Sequence, residues 1–367
     1  MAKRKSSDFT LLLLVLILVV IGVIMVFSSS HYYALTKLHD SYYFLKRELL
    51  WATIGLIGMT FTMNFDYFRY KKLAPYAFGL SIVLLLLVLT PLGKEFNGAR
   101  RWIGIGSFTI MPGEISKICA IIFVASSLSS MGDKIKKFLH GVCPYILIIG
   151  IYMGLILLQP NMSTAVTIGA VIACMMFIAG MRWFHVIVMG MGGFFALGAM
   201  VVAAPYRMKR LTGFLDPFKD PMGTGYQVIQ SLYALGSGGL FGVGLGRSMQ
   251  KYLYIPEPQN DFIFAIIGEE LGFIGCMVII ILYVLLIWRG VRIAINAPDT
   301  FGCLLASGIT SMVAVQCIIN IAVATSSMPV TGMALPFISW GGNSLAIFMA
   351  SVGILLNVSR YSNLDRS

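Results

Sequence analysis

Asp261 is the residue whose neighbours best equip it for chemistry. It closes the polar run Pro256-Glu257-Pro258-Gln259-Asn260 and directly precedes the uncharged stretch Phe262–Gly268. A carboxylate at the lip of an apolar helix is partly desolvated, which raises its pKa, while nearby cations lower it again. A base poised in this way suits removal of a proton from a hydroxyl, a sugar hydroxyl included. Asp is equally favoured there as a helix N-cap, so two readings of the position stand.

Cations gather in two other polar segments. Asn97-Gly98-Ala99-Arg100-Arg101-Trp102 sets two arginines beside a tryptophan, and Arg207, Lys209, Arg210, Arg247 and Lys251 lie further along. Such residues could anchor to anionic headgroups, or they could grip a phosphate or pyrophosphate, for which the planar Arg fork is suited. Glu114 and Lys117 are three apart and share a helical face. Ionisable groups inside an apolar run point to function; a self-neutralising structural pair is the alternative. Gln159-Pro160-Asn161, with Ser163, Thr164 and Thr167, could line a cavity in the same layer.

Other constellations carry less. The glycine-rich segment 236–246 lacks the Lys-Ser/Thr of a P-loop and a preceding strand, so close backbone packing is expected there, not ATP or NAD. The six cysteines form no CxxC and read as small buried hydrophobes, and the four histidines are isolated. No metal site and no required cofactor emerge, although a divalent cation (Mg or Mn) could assist.

The elements that position these residues follow from composition. Of 367 residues 58% are hydrophobic and 11% charged, against about 25% charged in soluble domains. With a mean hydropathy of +0.87, an ordinary water-soluble domain is excluded. Uncharged stretches fall at 10–28, 49–64, 73–91, 115–130, 142–159, 163–181, 184–204, 262–288, 301–325 and 343–358. At roughly 20 residues per span, the chain is predicted to be an all-α integral membrane protein. We expect about ten transmembrane helices in one domain over 1–367.

Lys3-Arg4-Lys5 followed by Leu11–Phe27 reads as an uncleaved first span. The short loops on its side collect Arg69, Lys71, Lys72, Lys134, Lys136, Lys137, Arg182, Arg289, Arg292, Arg360 and Arg366, which favours both termini in the cytoplasm. Segments 92–114, 205–261 and 326–342 then face outward, the second being one long loop between helices 7 and 8. Within it Tyr226–Leu235 reads as an amphipathic interfacial helix ended by glycines. The net charge of +12 thus divides into inner anchors and an outer cluster, and nucleic acid drops out as a partner.

Taken in order, Asn97–Trp102, Gln159–Asn161, Pro256–Gly272 (PEPQNDFIFAIIGEELG), Pro329–Asn343 (PVTGMALPFISWGGN) and Gly353–Arg360 (GILLNVSR) resemble the SEDS family of the FtsW/RodA/SpoVE type. The acidic motif is closer to division- and sporulation-type members. The resemblance implies a ten-span peptidoglycan glycosyltransferase of the bacterial cytoplasmic membrane, placed at the division septum. It would polymerise lipid II on the outer face beside a class B penicillin-binding protein and other divisome membrane proteins. The family's essential acid falls on Asp261, its arginine-rich motif on Arg100 and Arg101, and its intramembrane pair on Glu114 and Lys117. With these, Trp102, Gln159, Asn161, Arg210, Lys251, Glu257, Ser339 and Asn343 complete the expected substrate contacts. Many members have Asp and Gly where this chain has Asn161 and Ser163, and Asn cannot act as a base. A flippase or transporter for a lipid-linked substrate and a non-catalytic scaffold are the competing readings.

Overall fold

The computed structural model describes residues 6–96, 98–105 and 108–362. Lys3-Arg4-Lys5, Asn97 and Arg366 lie outside the described residues. Every one of the ten apolar stretches is helical: α1 (Phe9–Leu38), α2 (Tyr43–Asn64), α3 (Tyr67–Leu89), α4 (Pro112–Ser129), α5 (Cys143–Leu157), α6 (Met162–Ile178), α7 (Trp183–Val202), α10 (Ile263–Ile295), α11 (Thr300–Ala324) and α12 (Asn343–Ser359). A helix satisfies its own backbone, which is what an apolar surrounding demands. Among the described residues, seven helices are long and apolar enough to cross a membrane, while α6 and α12 are shorter apolar helices. The first turns of α2 carry Lys46, Arg47 and Glu48.

The core is built around α4 and α11, 67% of whose spans are buried. α2 packs along α12, α3 along α4, and α11 against α4, α6 and α10. α7 stands apart, with 6% of its span buried. Polar clamps tie the ends of distant helices. Asp8 caps α1 through Leu11 N (2.9 Å) and pairs with Arg289 of α10 at 2.5 Å.

The all-α expectation needs correction in the segment 92–114. It forms a three-stranded antiparallel sheet of β1 (Gly93–Phe96), β2 (Ala99–Ile105) and β3 (Phe108–Ile110). Phe96 pairs with Ala99, and Gly98 just before Ala99 has φ +75°, a conformation that glycine adopts without steric cost. Outside the helices these backbone groups pair with one another.

The long segment 205–261 is also more structured than a loop. It contains α8 (Pro205–Leu215) and α9 (Tyr226–Gly238). The amphipathic helix is where the pattern put it, but its apolar face packs on α10. Val228, Ile229 and Ala234 are buried and Tyr233 is exposed.

The glycine-rich stretch fills a break in α10. Gly272 has φ +68°, ψ −167° inside that helix, a region open essentially to glycine alone. The interrupted ladder is completed from outside. Val243 N donates to Glu269 O (3.0 Å) and Gly244 N to Glu270 O (3.0 Å), while Phe273 N and Ile274 N donate to Gly239 O (2.9 Å) and Leu240 O (3.2 Å). A β-carbon on Gly272 would meet Gly242 N at 2.3 Å, so the backbones touch. The cysteines are unpaired; Cys119, Cys276 and Cys317 are buried as expected, whereas Cys143 is exposed.

Candidate active site

Asp261 lies just ahead of α10, and it is not that helix's cap. The N-cap position is held by Phe262, with no side-chain capping bond. The carboxylate is half-buried and accepts no hydrogen bond from the described residues. Burial pushes it up to about 7, the Glu257 carboxylate adds to the rise, and the Arg210 and Arg101 guanidinium groups oppose it. This is the signature of a group able to exchange a proton near neutral pH.

The two arginines reach Asp261 from different elements. Arg101 is on β2 and is steered by the turn before α6: its Nε donates to Gln159 O (3.3 Å) and its Nη2 to Pro160 O. Arg210 comes from α8 and donates to Val330 O (3.3 Å). Burial, and after it the nearby charge of Arg210, holds the Arg101 guanidinium below its ordinary value. Two cations beside a carboxylate make surroundings suited to an anion.

The remaining expected residues divide. Strand alternation sends Arg100 to the face opposite Arg101, where it meets Glu95 Oε2 at 3.3 Å with both side chains half exposed. Trp102 stands opposite Lys94 in the β1–β2 ladder. Gln159 Nε2 holds Leu85 O (3.0 Å), and Asn161 caps α6 through Thr164 N (3.2 Å). Glu257 accepts from Asn260 Nδ2 (2.7 Å). Ser339 Oγ accepts from Leu335 N (2.7 Å), closing a turn. Asn343, buried at the start of α12, keeps an Nδ2 without a partner among the described residues.

Lys251 is drawn away from the arginines. Its Nζ pairs with Glu270 Oε1 at 2.9 Å, both side chains buried, and Ser28 of α1 donates to the same carboxylate at 2.8 and 2.7 Å. Glu269 next to it accepts from Ser248 Oγ, Met249 N (2.7 Å) and Gln250 N (3.3 Å). The acids at the α10 break therefore gather the chain that leads into Pro256–Asp261.

Glu114 and Lys117 form the expected pair at 2.8 Å, nearly closed off from solvent. Ser344 Oγ donates to Glu114 Oε2 (2.9 Å), and Lys117 Nζ donates to Gln316 Oε1 (2.7 Å). Gln316 and Asn320 were missed in the sequence. The available signal was two amides four residues apart, on one helical face, in an otherwise apolar run. Several buried polar atoms, Gln259 Oε1, Asn260 Oδ1, Asn320 Oδ1, Thr331 Oγ1 and Trp340 Nε1, have no partner among the described residues. Such groups are uncommon in folded proteins.

The cell cycle protein family that groups FtsW, RodA and SpoVE matches residues 9–364. The chain belongs to the FtsW/RodA/SpoVE family. It is 47% identical to the stage V sporulation protein E of Bacillus subtilis, over 98% of this chain and 99% of that one. It is 45% identical to a probable peptidoglycan glycosyltransferase FtsW of a Geobacter species, over 91% of each. Among solved structures it resembles a chain of a peptidoglycan synthase complex that coordinates polymerization and crosslinking (TM-score 0.79, 30% identity, 96% of this chain and 98% of that one). It also resembles the rod shape determining protein RodA of Thermus thermophilus (TM-score 0.72, 27% identity, 97% and 98%). As a FtsW/RodA/SpoVE member with several apolar helices, the chain is a multi-pass membrane protein of peptidoglycan synthesis.

Proposed function

We propose that this FtsW/RodA/SpoVE member polymerises lipid II on the outer face of the bacterial cytoplasmic membrane, with Asp261 as general base. The observation that carries the reading is a half-buried carboxylate that accepts no hydrogen bond from the described residues, is raised to about 7, and is flanked by Arg101 and Arg210. Asp261 takes the proton of the acceptor GlcNAc 4-hydroxyl as that oxygen attacks the donor's anomeric carbon. The bond from that carbon to the pyrophosphate breaks, and the two guanidinium groups offset the charge developing on the leaving undecaprenyl pyrophosphate. Attack opposite the leaving group inverts an α-linked donor into a β-1,4 glycan.

The reading includes ten spans with both termini in the cytoplasm, so that 92–114, 205–261 and 326–342 share the outer side. A class B penicillin-binding protein is the proposed transpeptidase partner, with other divisome membrane proteins at a septum. Among the described residues no group of three His, Cys, Asp or Glu is placed to hold a metal ion.

The test is reconstitution of the purified protein, with its partner, in liposomes carrying labelled lipid II. Glycan strands resolved on a gel support the reading. Movement of lipid II between leaflets without any polymer would replace it with the transporter reading.

A further inference from the structure

Two neutral side chains of α11 make bonds that the catalytic reading leaves unused. Gln316 and Asn320 are one helical turn apart and almost fully buried, at 2% and 1% exposure. A buried amide is costly unless it is hydrogen-bonded, and both spend their donors on the same stretch of backbone. Gln316 Nε2 donates to Ala334 O at 2.9 Å. Asn320 Nδ2 donates to Met333 O at 2.6 Å and to Asp261 O at 3.0 Å.

The stretch they hold includes Gly332, which lies against the Asp261 carboxylate. At its other end Gln316 accepts from Lys117 Nζ, whose partner Glu114 is held by Ser344. A continuous polar chain therefore runs from α12 through the Glu114–Lys117 pair to α11, on to residues 333 and 334, and back to the main chain of Asp261.

We infer that Gln316 and Asn320 are positioning residues through which the buried Glu114–Lys117 pair sets the place of Asp261 against Gly332. The inference rests on Asp261 being the base. The charged groups that bear on Asp261 are Glu257 on its own loop, Arg101 on β2 and Arg210 on α8; α11 contributes none. Loss of Asn320 therefore removes no charge. It releases the Asp261 main chain, lets water reach the carboxylate, and lowers its affinity for a proton.

Asn320→Ala in the full-length protein, assayed with its partner and lipid II, is expected to lower kcat at least about tenfold with KM nearly unchanged. The acid limb of its pH–rate profile should move to lower pH by about one unit. Gln316→Leu is expected to move the limb the same way. A Lys117→Met/Gln316→Leu double variant should lose much less than the two single losses combined, because both cut one chain. A folded Asn320→Ala protein with an unmoved acid limb overturns the inference; if that variant does not fold, the same limb is read in Gln316→Leu. Asp261→Asn separates the layers. If it still polymerises, the base assignment fails and takes the inference with it. If it is inert while the limb of Asn320→Ala stays put, the positioning role alone is wrong.

Discussion

A β-carbon on Gly332 would lie 3.2 Å from Oδ2 of Asp261. The tight contact explains a glycine there: a side chain would displace the carboxylate by a few tenths of an ångström. Misplacement on the scale of 1 Å can cost a reaction about a hundredfold. Gly332→Ala should therefore lower the polymerisation rate about tenfold while the melting temperature in detergent stays close to wild type. A parallel drop in both would mean that the contact matters for folding instead.

The carboxylate, pushed up to about 7, gives the rate a defined pH dependence. The deprotonated form is the active one, so the rate rises with pH. Well below neutrality it should fall about tenfold for each unit of acidification. It should level off above about pH 8. Initial rates of glycan formation across pH 5–9 check this; a flat profile below pH 7 would place the base elsewhere.

Arg100 and Arg101 are neighbours in sequence and point to opposite faces of β2. Arg100→Ala removes an exposed pair with Glu95, an interaction worth about 1 kcal/mol or less, and should leave the rate within about twofold. Arg101→Ala removes a cation beside Asp261 and should cost roughly a hundredfold, in line with losing one preorganised transition-state contact. Equal losses from the two variants would mean that the hairpin reorganises when substrate arrives.

Lys251 and Glu270 form a buried pair beneath the loop leading to Asp261. Removing one partner strands the other charge, at a cost of about 3–5 kcal/mol. Lys251→Met should lower the melting temperature sharply, and Lys251→Met with Glu270→Gln should recover much of it. If Lys251→Met melts normally and only lipid II binding weakens, the lysine contacts substrate after all.

What could be read in advance depended on the physical source of each signal. α9 was visible because burying one side of Tyr226–Gly238 imposes a helical period on its apolar residues. The Glu114–Lys117 pair was visible because a spacing of three fixes a shared face. The sheet was overlooked even though Asn97-Gly98 is a strong hairpin signal, because its strands are short and interrupted by glycines. Lys251 resembled any other outer cation, since its partner Glu270 is 19 residues away and approaches only through the α10 break. Gln316 and Asn320 were hidden for a different reason. Uncharged amides do not interrupt an apolar run, and their roles arise from bonds to a distant segment of backbone.

The central claim is that Asp261 acts as the base for glycan polymerisation. The most direct test compares wild type and Asp261→Asn, reconstituted at equal levels with the partner synthase, for strand formation from lipid II at pH 7.5. Asn keeps the shape and cannot accept the proton. The account predicts loss of at least about a thousandfold in rate with lipid II binding retained. Polymerisation by Asp261→Asn at the wild-type rate would contradict it.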